Sequence, residues 1–192
     1  PLVLLRGGRA AVLFRGPDQS VDDVRRVLEE LGAQVEEVPA PGLGAHLVAR
    51  VRPAGMAPKG KVLLVAHLDT VFGPGFAAAH PFHVEGDWAW GLGAGDCKSG
   101  VLAALFGALI LKRAGQLPPW ELTFLFTCDE EIGSESGRQV YAREAPGAAC
   151  ALVFEGGREK DGQPAFVLYR GELSLCHIEK DQELPEAVYR EI

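Results

Sequence analysis

An α/β fold is what this sequence predicts: a mixed, largely parallel sheet with helices on both faces. Three observations predict it. Short uninterrupted apolar runs at Lys61–Ala66 (KVLLVA), Glu121–Cys128 (ELTFLFTC) and Ala149–Phe154 (ACALVF) read as strands buried on both faces. Helical segments alternate with these runs, as parallel pairing requires. Each run also leads directly into acidic or imidazole side chains, and in open α/β sheets sites form outside the carboxyl ends of the strands.

The elements follow in order. Ser20–Leu31 reads as a helix with Ser20 as N-cap, Asp22 and Asp23 in the first turn, and Gly32 after the end. Its apolar stripe is Val21, Val24, Val27, Leu28 and Leu31. Leu47–Val51 reads as a strand and Pro53–Gly60 as a turn leading to the first buried run. Val101–Leu111 is apolar on all sides and closes with Lys112, Arg113 and Gly115, so a buried helix is expected there. After the second run, Glu135–Arg143 is expected to be helical, before the third. There is no internal repeat and no low-complexity tract.

Composition narrows the function classes. The 192 residues can bury one core and are too few for two full domains. With 47% hydrophobic and 23% charged residues, the balance is that of a soluble globular chain. A net charge of −7 argues against nucleic acid and anionic membrane surfaces, which need clustered Lys and Arg. No apolar run of the roughly 20 residues that span a bilayer is read, and Pro1–Leu5 is too short for a signal peptide. Cys97, Cys128, Cys150 and Cys176 contain no CxxC pair, so reduced thiols and a cytoplasmic location are expected.

The chemistry collects at the strand ends. The first run ends in His67-Leu68-Asp69, the second in Asp129-Glu130-Glu131 and the third in Glu155, while Asp96 closes a glycine-rich loop (GLGAGD) before the apolar helix. One imidazole with several carboxylates suits zinc, and also cobalt or manganese. Two divalent ions ~3.5–4 Å apart need a bridging anion, and Asp96 is the natural bridge. Asp69, two residues after His67, can hold the other ring nitrogen. In the pair Glu130-Glu131 the side chains diverge, so one can bind metal while its neighbour serves as general base.

These pieces resemble the M20 metallopeptidases, and within them the glutamate carboxypeptidase-like group. The matching motifs are HLDTVF (67–72), WGLGAGDCKSG (90–100), DEEIGSESGR (129–138) and FEGG (154–157), in the family's order and spacing. The resemblance runs from about Ser20 to Gly171. It implies that His67, Asp96 and Glu155 hold one zinc, and that Asp96 and Glu131 hold a second with a histidine from late in the chain. Asp69 would support His67, and Glu130 would be the base that takes a proton from water. It further implies a cis peptide bond after Asp96, hydrolysis of an amide bond beside a terminal carboxylate, and small peptides or N-acyl amino acids as substrates. Homodimers would form through a lid domain inserted after the third acidic ligand.

Departures from the pattern are as informative. Cys97 stands where the family usually has Met; an extra ligand is one reading and a buried packing thiol the simpler one. After Arg170-Gly171 the segment ELSLCHIEKDQELPEAVYREI stops resembling the family. Residues 1–171 are therefore expected to be the catalytic metal-binding domain and 172–192 a divergent segment, without the lid or the late histidine. Nothing around His177 resembles that late motif. His46, His80 and His83 lie outside the motifs, so loop or surface roles are expected for them, and packing for Trp88 and Trp90. A nucleotide loop at Gly91, Gly93 and Gly95 is excluded because Asp96 would repel phosphate. Two rival readings remain: an inactive or regulatory protein of the same fold holding one metal, and an M28-type aminopeptidase. Metal content separates the first; the long gap from Asp69 to Asp96 and the ending GSESGR argue against the second.

Overall fold

Where each strand buries its side chains is set by period-two alternation, and the helices fill both faces that result. The computed structural model describes residues 17–73, 75–85, 88–155, 158–160, 163–165 and 168–169. In chain order the elements are α1 (Pro17–Glu30), β1 (Gln34–Ala40), β2 (Gly44–Val51), β3 (Lys61–His67), a single helical turn α2 (Phe76–Ala79), β4 (His83–Glu85), β5 (Trp88–Trp90), α3 (Ser99–Arg113), β6 (Glu121–Thr127), α4 (Gly137–Glu144), β7 (Ala148–Val153), β8 (Arg158–Lys160), β9 (Gln163–Ala165) and β10 (Leu168–Tyr169). The central six-stranded sheet has the order β1-β2-β6-β3-β7-β10, and β4-β5 and β8-β9 form separate hairpins.

The sheet is mixed, with its parallel part at the centre. β3 pairs in parallel with β6 and β7, whereas β1–β2, β2–β6 and β7–β10 are antiparallel. Thus β1, β6, β3 and β7 run one way and β2 and β10 the other. The crossover from β3 to β6 passes through α3, and that from β6 back across β3 to β7 passes through α4. Right-handed crossovers that leave a strand in opposite directions place their helices on opposite faces. Leu47, Ala49, Leu64, Ala66, Leu122, Phe124 and Phe126 accordingly pack with α1 and α3 in one cluster. The intervening Val48, Leu63, Leu125 and Ala151 pack with Val140 of α4 on the other face. The direction in which the crossovers step across the sheet therefore reverses about β3, and the open ends of β3, β6 and β7 meet at this switch point.

Several expectations are corrected. α1 begins at Pro17, not Ser20, so Ser20 lies inside the helix and is not its cap; proline is favoured in a first turn because its missing N–H has no intrahelical partner there. β1 carries no continuous apolar run, since it is a half-exposed edge strand holding Glu36, Glu37 and Pro39. β2 starts at Gly44, earlier than expected, and this brings His46 into the sheet. α3 is not buried on all sides: Val101, Leu102, Leu105 and Leu109 face the core, but Ile110 is 53% exposed. Together with the preceding turn it makes a stretch, Ala94–Arg113, of membrane-spanning length and composition, contrary to the expectation that no such run exists. Its break at Asp96-Cys97 and its packed inner face are features of a core helix. The boundary set at Gly171, the segment 172–192, Cys176 and His177 lie outside the described residues.

Candidate metal centre

β3 delivers a buried imidazole to the edge of the sheet. The His67 side chain is 1% exposed. Its Nδ1 lies 3.1 Å from the Asp69 carbonyl oxygen and 3.3 Å from Asp69 Oδ1. A carbonyl only accepts, so Nδ1 carries a hydrogen; Asp96 Oδ1 also only accepts, so Nε2 donates to it here, and Nε2 is the ring atom a metal ion would take in place of that proton. Around Nε2 stand Asp96 Oδ1 at 2.8 Å, Glu155 Oε2 at 3.5 Å and Glu130 Oε2 at 4.0 Å. Every one of these neighbours is a carboxylate oxygen.

Backbone hydrogen bonds bring the contributing segments together. The parallel ladder continues past the strand ends: Leu68 N–H donates to the Thr127 carbonyl (2.7 Å) and Phe154 N–H to that of Val65 (2.7 Å), which sets the start of Glu155 beside β3. Asp69 Oδ2 accepts the Glu131 N–H at 3.0 Å and ties the turn after β6 to the end of β3. Asp96 sits in the turn Ala94–Lys98, and the Asp96–Cys97 peptide is cis. Cys97 is buried; its Sγ accepts the His67 N–H (3.1 Å) and its S–H donates to the His67 carbonyl (3.2 Å). Gly100, at the start of α3, is where close approach requires a glycine. A Cβ on Gly100 would lie 1.9 Å from the Phe154 carbonyl oxygen, so the start of α3 rests directly on the chain that carries Glu155.

The electrostatics show an excess of negative charge. Burial works against a charged His67, but its hydrogen bonds to Asp69, Cys97 and Glu155 overcome this and push the imidazole well above its ordinary range. Burial raises Glu130, and the neighbouring Glu155, Glu131 and Asp69 charges add to it. Glu131 rises through burial and the nearby Asp96 charge. In Asp69 burial is outweighed by His67 and the Glu131 N–H, which hold the carboxyl below its usual range. Two sets of donor atoms lie within 4.8 Å of one another: His67, Asp96 and Glu131, and His67, Cys97 and Glu155. An imidazole nitrogen among converging carboxylates fits a divalent cation, because such an ion would replace the Nε2 proton, supply the missing positive charge and accept both donor types.

The structure therefore gathers His67, Asp69, Asp96, Glu130, Glu131 and Glu155 at one place. It also draws in a residue that sequence reasoning set aside. His46 is 1% exposed, not a loop or surface residue; it belongs to β2 and lies against Cys128 and Ser136 behind the Asp129–Glu131 turn. Nothing local marks it, since it stands alone in an ordinary strand; only the β2–β6 register places it there. His80 and His83 are exposed, as expected, and Trp90 is half exposed and stacked on His83 instead of packed inside.

Fold and site together define a class: an α/β domain whose parallel strands open onto an imidazole–carboxylate centre suited to divalent metal. The chain belongs to peptidase family M20/M25/M40, whose family model matches residues 63–188, a stretch that continues past Gly171. It is 38% identical over 131 residues to carboxypeptidase G2 of Pseudomonas sp. (strain RS-16), covering 67% of this chain and 31% of that protein. It is 35% identical over 117 residues to the [LysW]-lysine/[LysW]-ornithine hydrolase of Sulfurisphaera tokodaii, covering 61% and 30%. Among solved structures it resembles the M20 family metallo-carboxypeptidase Sso-CP2 from Sulfolobus solfataricus, with a TM-score of 0.61, 17% identity and coverage of 81% of this chain and 37% of that one. The chain spans about a third or less of the length of the curated relatives it matches.

Proposed function

We propose that this chain carries the metal-binding catalytic centre of a peptidase that hydrolyses an amide bond beside a terminal carboxylate, in small peptides or N-acyl amino acids. The supporting observation is the convergence of His67, Asp96, Glu131 and Glu155 from three strand ends and one loop. The similarity to carboxypeptidase G2 favours the carboxypeptidase type. His67, Asp96 and Glu155 would hold one ion, Asp96 and Glu131 would share in a second, and zinc suits the donors, with cobalt or manganese as alternatives. When bound, the metal supplies Lewis-acid polarisation and makes water acidic enough to attack near neutral pH.

The chain's own residues do the rest. Asp69 accepts the Nδ1–H of His67 and thereby directs Nε2 into the centre, where it would offer its lone pair to a bound ion. Glu130 lies farther from Nε2 than Asp96 or Glu155 do, at 4.0 Å, and its carboxyl is raised by burial and neighbouring charge. It would take the proton of the attacking water and return it to the leaving amine, and a carboxyl raised above its ordinary range holds that proton better between the two transfers. Residues 1–171 would form the catalytic domain, and substrate-carboxylate recognition and dimerisation would belong to a separate lid domain. The test is metal counting on the purified chain loaded with zinc, together with hydrolysis of peptides ending in glutamate. Stoichiometric metal that is lost on Asp96→Ala is the expected result. No bound metal, or metal indifferent to Asp96→Ala, would overturn the reading.

A further inference from the structure

Behind the metal-centre residues lies a second buried polar cluster that the chemistry above does not use. The antiparallel register of β2 and β6, with Leu47 opposite Phe126, carries His46 to the start of the Asp129–Glu131 turn. Cys128 N–H points at His46 Nδ1 (3.2 Å), and a backbone N–H only donates, so Nδ1 must accept. His46 Nε2 then bears the hydrogen and donates to Ser136 Oγ (2.9 Å), which in turn donates to Asp129 Oδ2 (2.7 Å). The same carboxylate oxygen accepts the Ser136 N–H (2.8 Å) and the Gly137 N–H (2.9 Å). Each hydrogen in this chain has one place to go. It closes the loop that starts at Asp129 and ends at α4, and Glu130 and Glu131 are carried inside that loop. On its other side the loop is held by Asp69 through the Glu131 N–H.

We propose that His46 is a positioning residue for Glu130 and Glu131, acting through Ser136 and Asp129; this rests on the metal-centre reading above. A buried imidazole that only filled space would be replaceable by an apolar side chain without cost at the centre. A hydrogen-bonded imidazole with a defined tautomer instead fixes where the turn sits, and with it the direction of Glu131 toward His67 and Asp96.

The test is titration of the full chain with Co²⁺, read by its d–d absorption and by calorimetry, with thermal unfolding followed in parallel. His46→Asn keeps an acceptor for the Cys128 N–H but falls short of Ser136. His46→Gln places an amide N–H near the position of Nε2. His46→Asn is expected to weaken Co²⁺ binding about tenfold or more and to change the spectrum, while His46→Gln recovers most of the wild-type affinity. Ser136→Ala removes only one hydroxyl from the same chain of bonds, is expected to match His46→Asn, and decides the question if His46→Asn does not fold. If His46→Asn and Ser136→Ala lower the unfolding temperature but bind Co²⁺ with wild-type affinity and spectrum, His46 is merely structural and the proposal is overturned. The same holds if His46→Gln behaves like His46→Asn. A wild-type chain that binds no Co²⁺ overturns the metal-centre reading itself, and this inference with it.

Discussion

Asp129 and Asp96 are both acids beside an imidazole, His46 of β2 for the first and His67 of β3 for the second, yet they live under opposite rules. Asp129 is 1% exposed, and its Oδ2 receives a hydroxyl and two backbone N–H donors. Burial alone would raise its carboxyl, but those donors outweigh it and hold the group below its usual range. The Asp96 side chain is 68% exposed and faces His67 Nε2, with Glu131 also within the same donor group. Donors turn a buried carboxylate into a structural clamp. Carboxylates that crowd one imidazole nitrogen repel one another, and a proton or a bound cation relieves the repulsion; such arrangements persist where function needs them.

The largest effect expected is on chemistry. Glu130→Gln in the whole protein should lower turnover by ~10²–10⁴ while metal content stays as in the wild type, measured by steady-state kinetics and metal analysis. Loss of metal instead would exchange the roles of Glu130 and Glu131 and redraw which acids belong to the crowded group.

Gly100→Ala strikes the crowded group through its backbone. The added Cβ meets the Phe154 carbonyl at 1.9 Å, so α3 or the chain bearing Glu155 must shift. A cost on the order of 3 kcal/mol in urea unfolding is expected, with weakened metal binding. Wild-type stability would mean that the contact yields easily and that Glu155 is not held against Asp96 in the way described.

The sharpest contrast comes from the two aspartates themselves. Asp129→Ala leaves the Ser136 and Gly137 donors without their acceptor and should cost about 2–3 kcal/mol. Asp96→Asn should leave the metal-free chain as stable as the wild type or more so, while abolishing metal binding. Equal destabilisation by both, seen in paired thermal melts without metal, would break the distinction.

The smallest effect concerns Glu36, an acid satisfied at the surface. Burial raises it, but the hydrogen bonds and charges of Arg50 (3.1 Å) and Arg143 (2.8 Å) together win and lower it from 4.5. A depressed folded value means its contribution is complete above the unfolded value of 4.5 and is lost as pH falls through the folded one. Glu36 is 40% exposed, so Glu36→Gln should cost at most about 1 kcal/mol near neutral pH and flatten the acid side of the stability profile. An unchanged acid limb would show that solvent screens the pair completely.

Much of this was legible along the chain. The runs that become β3 and β6 are apolar on both faces because central strands are covered on both sides, and no partner need be known to see that; β7, expected to be the same, buries only Ala151 and leaves Val153 38% exposed. His67, Asp69, Asp96, Glu130, Glu131 and Glu155 are legible because each stands at the end of such a run or in a glycine-rich loop, within short motifs. β1 was not, because an edge strand with one exposed face carries Glu36 and Glu37 without penalty. Nor was the outer face of α3, where composition alone does not say which side meets the sheet.

The sequence by itself determined the strand centres, the donor types and their order, because apolar runs and metal-ligand chemistry are local properties. Only the tertiary structure decided that β6 and β7 flank β3, that α3 leans on the Phe154 carbonyl through Gly100, and that His46 reaches Ser136. These depend on register and crossover handedness, which join residues far apart in the chain and leave no mark on either neighbour's local pattern.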